Sequence, residues 1–181
     1  MTYYEALGLE PRLSLDADDL KKRFYERSRQ WHPDRFSRAS PDEQQKALDM
    51  TALLNDALRT LRDPFARAEY FFKQKGIALP KEVPPDMLED FFELNMTLQE
   101  FRSGDQSVRP QLIEARQREL KAQEQGARML LEFFELYDGY DDASREHAKL
   151  EIPIGDLINL RRYIGNFLRE VDKELNVHVS D

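Results

Sequence analysis

Apolar residues return every three or four positions through most of the chain, and the densest group of helix breakers is Gly76, Pro80, Pro84 and Pro85. A chain patterned in this way forms helices, and few helices survive one glycine and three prolines in so short a stretch. The expectation is an all-α protein in two blocks, residues 1–75 and 87–181, joined by a linker at 76–86. The length of 181 residues suits one ordinary domain or two small ones.

In the first block, Tyr3, Tyr4 and Leu7 mark a short opening helix ending near Gly8, and a loop with Pro11 follows. Asp16 is placed to cap a second helix, with Leu15 and Leu20 as a hydrophobic staple and Asp18 and Asp19 loading the first turn with acid. Leu20, Phe24 and Trp31 share one stripe, which puts Trp31 in the core, while Lys21, Lys22, Arg23, Arg27 and Arg29 take the other faces. Pro33 stops this helix, because its ring disfavours an α conformation at His32.

A third helix opens at Ser40-Pro41-Asp42-Glu43, a capping serine with proline at N1 and glutamate at N3. Ala47, Met50, Leu54, Ala57, Leu58 and Leu61 line its inner face, and Arg62-Asp63-Pro64 launches a short aromatic helix through Tyr70, Phe71 and Phe72. The block is thus two long antiparallel helices joined by a loop at residues 32–40, with a short helix at either end.

The second block holds three further stripes. Met87, Phe91, Leu94, Leu98 and Phe101 form the first; Leu112 or Ile113, Leu120, Ala127, Leu130, Phe134 and Tyr137 the second; Leu157, Leu160, Ile164, Phe167 and Val171 the third. Heptad-like stripes of this kind pack on one another, giving an antiparallel three-helix bundle with turns near residues 103–105 and 138–140.

The sequence has no cysteine, which excludes disulfides, thiolate nucleophiles and thiolate-held zinc or iron–sulfur sites within the chain. His147 and His178 have no neighbours at metal-ligand spacing, so no metal or cofactor is expected. There is no apolar run near membrane-spanning length and no basic-then-apolar leader, which points to a cytoplasmic protein without a membrane partner.

Charge is uneven. Residues 1–75 hold 14 Lys and Arg against 13 Asp and Glu, a net +1, and the remainder holds 13 against 22, a net −9, which together give the −8 of the whole chain. An acidic second half argues against nucleic acid along the length of the molecule and suits a basic protein surface.

Two features carry function. The first is His32-Pro33-Asp34, in a loop that follows a helix with basic exposed faces. From Leu20 to Arg38 the chain carries Lys21, Lys22, Arg23, Arg27, Arg29, Arg35 and Arg38 against Glu26 and Asp34, which concentrates positive potential beside the loop. Pro33 restricts the backbone between a ring nitrogen and an anion, so the corner is suited to recognising a partner's polar groups; the alternative is a plain helix stop with a capping histidine.

The second feature is a surplus of apolar residues on the helix from Met87 to Phe101. With the first stripe turned inward, Leu88, Phe92 and Met96 remain at i, i+4 and i+8, beside Glu89, Glu93 and Glu100. That is an apolar face with an acidic rim, of the sort that marks a binding site, unless the helix is central and buried on two sides. Tyr163 borders the same surface or lies over the core with its hydroxyl in water.

The opening Tyr4-x-x-Leu7-Gly8, the basic second helix, His32-Pro33-Asp34, Asn55-x-Ala57, Leu61-Arg62-Asp63-Pro64 and Arg67-Ala68-Glu69-Tyr70 together resemble the J-domain co-chaperone family over residues 1–72. The resemblance implies a J-domain that docks on the ATPase domain of a DnaK-class chaperone and accelerates its ATP hydrolysis. It places that role on His32, Pro33 and Asp34, with Lys21, Lys22, Arg23, Arg27 and Arg29 as electrostatic contacts. A J-domain followed by a proline-bearing linker and an acidic three-helix bundle, without a Gly/Phe-rich region or zinc-finger cysteines, is similar to the HscB type of iron–sulfur cluster assembly. Arg67-Ala68-Glu69-Tyr70 and Leu88 with Glu93-Leu94 fit that branch. The likeness implies an L-shaped two-domain arrangement. It also implies HscA as the chaperone and the scaffold protein IscU as the client, bound through Leu88, Glu89, Phe92, Glu93, Met96, Glu100 and Tyr163.

Three other readings compete. His32 and Asp34 could be an acid and base, but Pro33 separates them and nothing supplies a nucleophile or cofactor site, so no enzyme is expected. Lys21 to Arg38 alone would suit a nucleic-acid binder, against the acidity of the whole. A J-domain co-chaperone with another client is the nearest competitor.

Overall fold

The computed structural model describes residues 1–80, 85–141 and 144–176. Seven α-helices and two 3₁₀ turns are found among the described residues, with no strand. The helices are α1 (Tyr3–Leu7), α2 (Ala17–Gln30), α3 (Pro41–Arg62), α4 (Pro64–Gln74), α5 (Pro85–Arg102), α6 (Arg109–Gly139) and α7 (Glu146–Glu174); the 3₁₀ turns are Pro33–Phe36 and Gln106–Val108. Part of the expected linker, including Pro84, lies outside the described residues, as do His178 and the Met87 side chain.

The chain forms two compact units. The first is Met1–Ala78 with Phe134–Asp141, the second Leu79–Phe133 with Asp142–Asp181. This corrects the expected division, in which everything after the linker belonged to the bundle: the last turns of α6 are part of the first unit. The physical reason is chemical pairing. The Asp138 carboxylate accepts the backbone N–H groups of Leu13 (3.2 Å) and Ser14 (2.6 Å), and Tyr137 meets Phe71 and Phe72 edge-on at 5.8 and 5.4 Å.

In the first unit each helix begins as its sequence dictates. Thr2 and Glu5 form a capping box on α1, Asp16 caps α2, Ser40 and Glu43 form a second box on α3, and the Asp63 carboxylate accepts the N–H groups of Phe65 and Ala66. Tyr4, Leu13, Leu20, Leu54, Leu61 and Phe72 are fully buried between them. Trp31 is a correction: it is only half-buried, at the end of α2, where it stacks on Phe36 at 5.8 Å. The loop expected at 32–40 contains the first 3₁₀ turn.

In the second unit α5, α6 and α7 surround one core built from Phe91, Leu94, Leu98, Leu112, Ile164, Phe167 and Val171. Arg102 of α5 pairs with Glu170 and Glu174 of α7, and Arg116 of α6 with Asp172. On α6 the register differs from the expected one. Leu112 is fully buried, whereas Ile113 and Leu120 are more than a third exposed. The heptad from Leu112 falls on Glu119 and Gly126, both buried; neither advertises a core position in sequence, so the apolar neighbours Leu120 and Ala127 stood in for them. The helix α7 also begins earlier than the stripe from Leu157 implied and runs through Pro153.

Candidate functional site

The first surface is built where α2 ends. Trp31 caps the helix through its N–H to the Arg27 carbonyl, and the Thr51 hydroxyl of α3, whose single proton faces the Ala47 carbonyl at 2.8 Å, lies 3.2 Å from the Trp31 carbonyl. His32 is extended (φ −62, ψ 128), as the residue before a proline must be. Pro33 occupies the first position of the 3₁₀ turn, where its missing N–H costs nothing. The Asp34 N–H is donated to His32 Nδ1 at 3.3 Å, and the Arg35 N–H to the His32 carbonyl at 2.9 Å. The His32 and Asp34 side chains are 58% and 89% exposed.

The basic residues of α2 divide into two groups. Lys21, Lys22 and Arg29 are exposed. Arg23 is half-buried; it pairs with Asp19 at 2.8 Å and donates to the Gly8 carbonyl at 2.5 Å. The Arg27 guanidinium lies against Gly8, 2.9 Å from where a Cβ would stand. Two of the five expected contact cations therefore face α1. Sequence reasoning missed Tyr25, which is 53% exposed on the same helix one turn from both Lys21 and Arg29; its signal was an aromatic one residue out of step with Leu20 and Phe24.

The second surface lies on α5. Leu88, Phe92 and Met96 are 47%, 67% and 49% exposed, while Phe91, Leu94 and Leu98, one or two positions away, are buried. The helix is thus apolar on two faces and covered on one. Glu89, Glu93 and Glu100 are exposed beside the stripe. Tyr163 of α7 stacks on Phe91 at 5.3 Å and keeps 41% of its surface in water, so it covers a core ring and borders the open face at once. Beyond Glu93 the helix bounds a cleft of about 290 Å³ with α6, lined by Asp90, Thr97, Gln111, Glu114 and Arg118 among others.

Among the described residues no group of three or more His, Asp or Glu side chains is placed to hold a metal ion, and no helix is long and apolar enough to cross a membrane. What the two surfaces can do is bind: one presents a ring nitrogen, a carboxylate and cations, the other exposed side chains that gain by leaving water.

Residues 2–70 match the family model "DnaJ domain". The chain is 39% identical to "Co-chaperone protein HscB" of Proteus mirabilis over 82 residues, which is 45% of this chain and 47% of that protein. It is 35% identical over 108 residues to "Co-chaperone protein HscB homolog" of Vibrio vulnificus, 58% of this chain and 63% of that one. The matches thus span about half to just under two thirds of those relatives. In fold, the chain is similar to "Chaperone HscB from Vibrio cholerae", with a TM-score of 0.70 at 24% identity over 97% of this chain and 98% of that one.

Proposed function

We propose that this chain, which matches the DnaJ domain over residues 2–70 and is similar in sequence to HscB co-chaperones, is a cytoplasmic co-chaperone of the HscB type. In this reading the first unit docks on the ATPase domain of a DnaK-class chaperone, HscA, and stimulates its ATP hydrolysis through His32, Pro33 and Asp34, with Lys21, Lys22 and Arg29 supplying attraction over distance. The second unit carries the scaffold protein IscU on Leu88, Phe92 and Met96, with Glu89, Glu93, Glu100 and Tyr163 around them, and so assists iron–sulfur cluster assembly and transfer. The protein performs no covalent chemistry of its own. Holding client and chaperone on one chain raises the local concentration of client, and docking favours the hydrolysis-competent chaperone state, so that the ADP form captures the client.

The observation that carries this reading is the coexistence, in one chain, of an exposed His32-Pro33-Asp34 corner within residues matched to the DnaJ domain and an uncovered apolar face on α5. The family match is confined to residues 2–70, so the client assignment rests on the α5 face.

Two assays test the two halves separately. His32→Gln abolishes stimulation of a cognate chaperone's ATPase with helical content unchanged; stimulation near wild type removes the docking role. Leu88→Ala/Phe92→Ala weakens calorimetric binding of the scaffold by 10-fold or more, on the order of 1.4 kcal/mol or above. Unchanged affinity removes the client face.

A further inference from the structure

The hydrogen bonds at the corner bear on the form in which His32 meets a partner. A neutral imidazole has one donor and one acceptor nitrogen, and which is which follows from what the other groups require. Pro33 has no N–H, so the first unpaired amide of the 3₁₀ turn is that of Asp34. Its acceptor is His32 Nδ1, at 3.3 Å. The next amide, of Arg35, is already taken by the His32 carbonyl at 2.9 Å. A proton on Nδ1 would set two donors face to face and leave the Asp34 N–H to water. The one competing contact of the same nitrogen is the Asp34 carboxylate at 3.5 Å, longer than the contact with the Asp34 amide.

With Nδ1 committed as an acceptor, the proton of the neutral ring sits on Nε2, and among the described residues Nε2 meets no acceptor. The ring is more than half exposed. We propose that His32 acts in docking as a hydrogen-bond donor through Nε2–H while its Nδ1 caps the turn that aims Asp34, so that the chaperone surface presents an oxygen acceptor to the ring. The proposal rests on the docking function given above and adds the chemistry of the contact: the imidazole is used from both sides, inward to hold the turn and outward to give a proton to a shared bond.

The tautomer is measurable on the intact protein without any partner, by long-range ¹H–¹⁵N correlation at the His32 ring in mildly alkaline buffer. The expected pattern has the proton on Nε2; a proton on Nδ1 overturns the assignment. The role of the outer nitrogen is read by ATPase stimulation with two replacements. His32→Asn keeps a side-chain acceptor at the capping position but has no group at the place of Nε2. Nε2-methylhistidine at position 32 keeps Nδ1 and removes only the donor. Both are expected to lower stimulation roughly tenfold, the order of one lost hydrogen bond, with the Asp34 amide resonance little changed for the methylated ring. Full stimulation by either overturns the donor role and leaves His32 as a cap alone. If the wild-type chain stimulates no DnaK-class ATPase, the docking reading fails while the tautomer result still stands by itself.

Discussion

At Gly8 the backbone turns through φ +67 to close α1, and the Arg27 guanidinium fills the space a Cβ would take. A side chain there meets both a left-handed conformation that costs about 1 kcal/mol outside glycine and an occupied position. Gly8→Ala is therefore expected to cost about 1 to 2 kcal/mol and to push Arg27 outward. Trp31 is the single tryptophan and lies in the first unit, so its fluorescence during urea unfolding reads this loss in that unit; an unchanged midpoint would contradict the argument. The case also shows where residue-scale reading stopped. Gly8 was legible as a helix end and Arg27 as a cation, and the corner at His32 followed from Pro33. That Arg23 and Arg27 turn towards Gly8 was not legible, because the contact joins residues 15 and 19 positions apart (23 − 8 and 27 − 8) with no local pattern to mark it.

Elements were easiest to read where caps write their own boundaries. The box at the start of α3 pairs Ser40 with Glu43 in both directions: the Glu43 N–H donates to the Ser40 hydroxyl oxygen at 3.4 Å, and the Ser40 N–H and hydroxyl donate to the Glu43 carboxylate at 2.9 and 2.7 Å. Those bonds hold the Glu43 carboxyl below the usual glutamate range. A depressed carboxyl stabilises the fold fully above its unfolded value and loses that contribution as pH falls through the folded one. Ser40→Ala should cost about 1 kcal/mol near neutrality, as a lost N-cap does, and the gap between variant and wild type should narrow in acid as Glu43 protonates in both. A gap independent of pH would count against the box. In α7, two glycines make a paired test. At Gly155 a Cβ would lie 2.5 Å from Pro80 Cδ, in a segment fastened by the Asn159 amide donating to the Pro80 carbonyl at 2.7 Å; at Gly165 nothing lies within 4 Å. Gly165→Ala should gain up to about 1 kcal/mol from helix propensity alone, whereas Gly155→Ala should lose about 1 kcal/mol or more as Pro80 is displaced. Thermal melts followed by circular dichroism compare them, and equal shifts would mean that Pro80 does not pack as described. Neither Glu119 and Gly126 as core positions nor Gly155 as a seat for Pro80 could be found by periodicity, since the apolar pattern speaks only through apolar side chains.

For the whole molecule, the informative segment is the end of α6, which the sequence assigned to the bundle by its continuous stripe and the structure assigns to the first unit. Helical periodicity reports which face is buried but is silent on what buries it, so a helix shared by two units looks like one long member of either. Within the first unit the segment supplies chemistry that residues 1–78 lack. Arg67 is 4% exposed; one of its nitrogens donates to the Leu61 carbonyl at 2.8 Å, and its guanidinium sits 5.3 Å from the centre of the fully buried Phe134 ring. Burial pulls the Arg67 guanidinium below its ordinary range, and the nearby Asp138 and Asp63 carboxylates act against that fall. Removing Asp138 takes away a compensating charge and the acceptor for two backbone N–H groups at once. Asp138→Ala should cost about 2 to 3 kcal/mol. Asp138→Asn, which keeps one acceptor oxygen without the charge, should fall between it and wild type. Both are read by Trp31 fluorescence in urea, which follows the first unit. The same logic applies to a chain ending at residue 78: its Trp31 transition should come at lower urea than in the full-length protein, because Arg67, Phe71 and Phe72 lose Phe134, Tyr137 and Asp138. An identical midpoint for the short chain would show that the end of α6 only lies against the first unit, and that the unit cut at the linker is already complete.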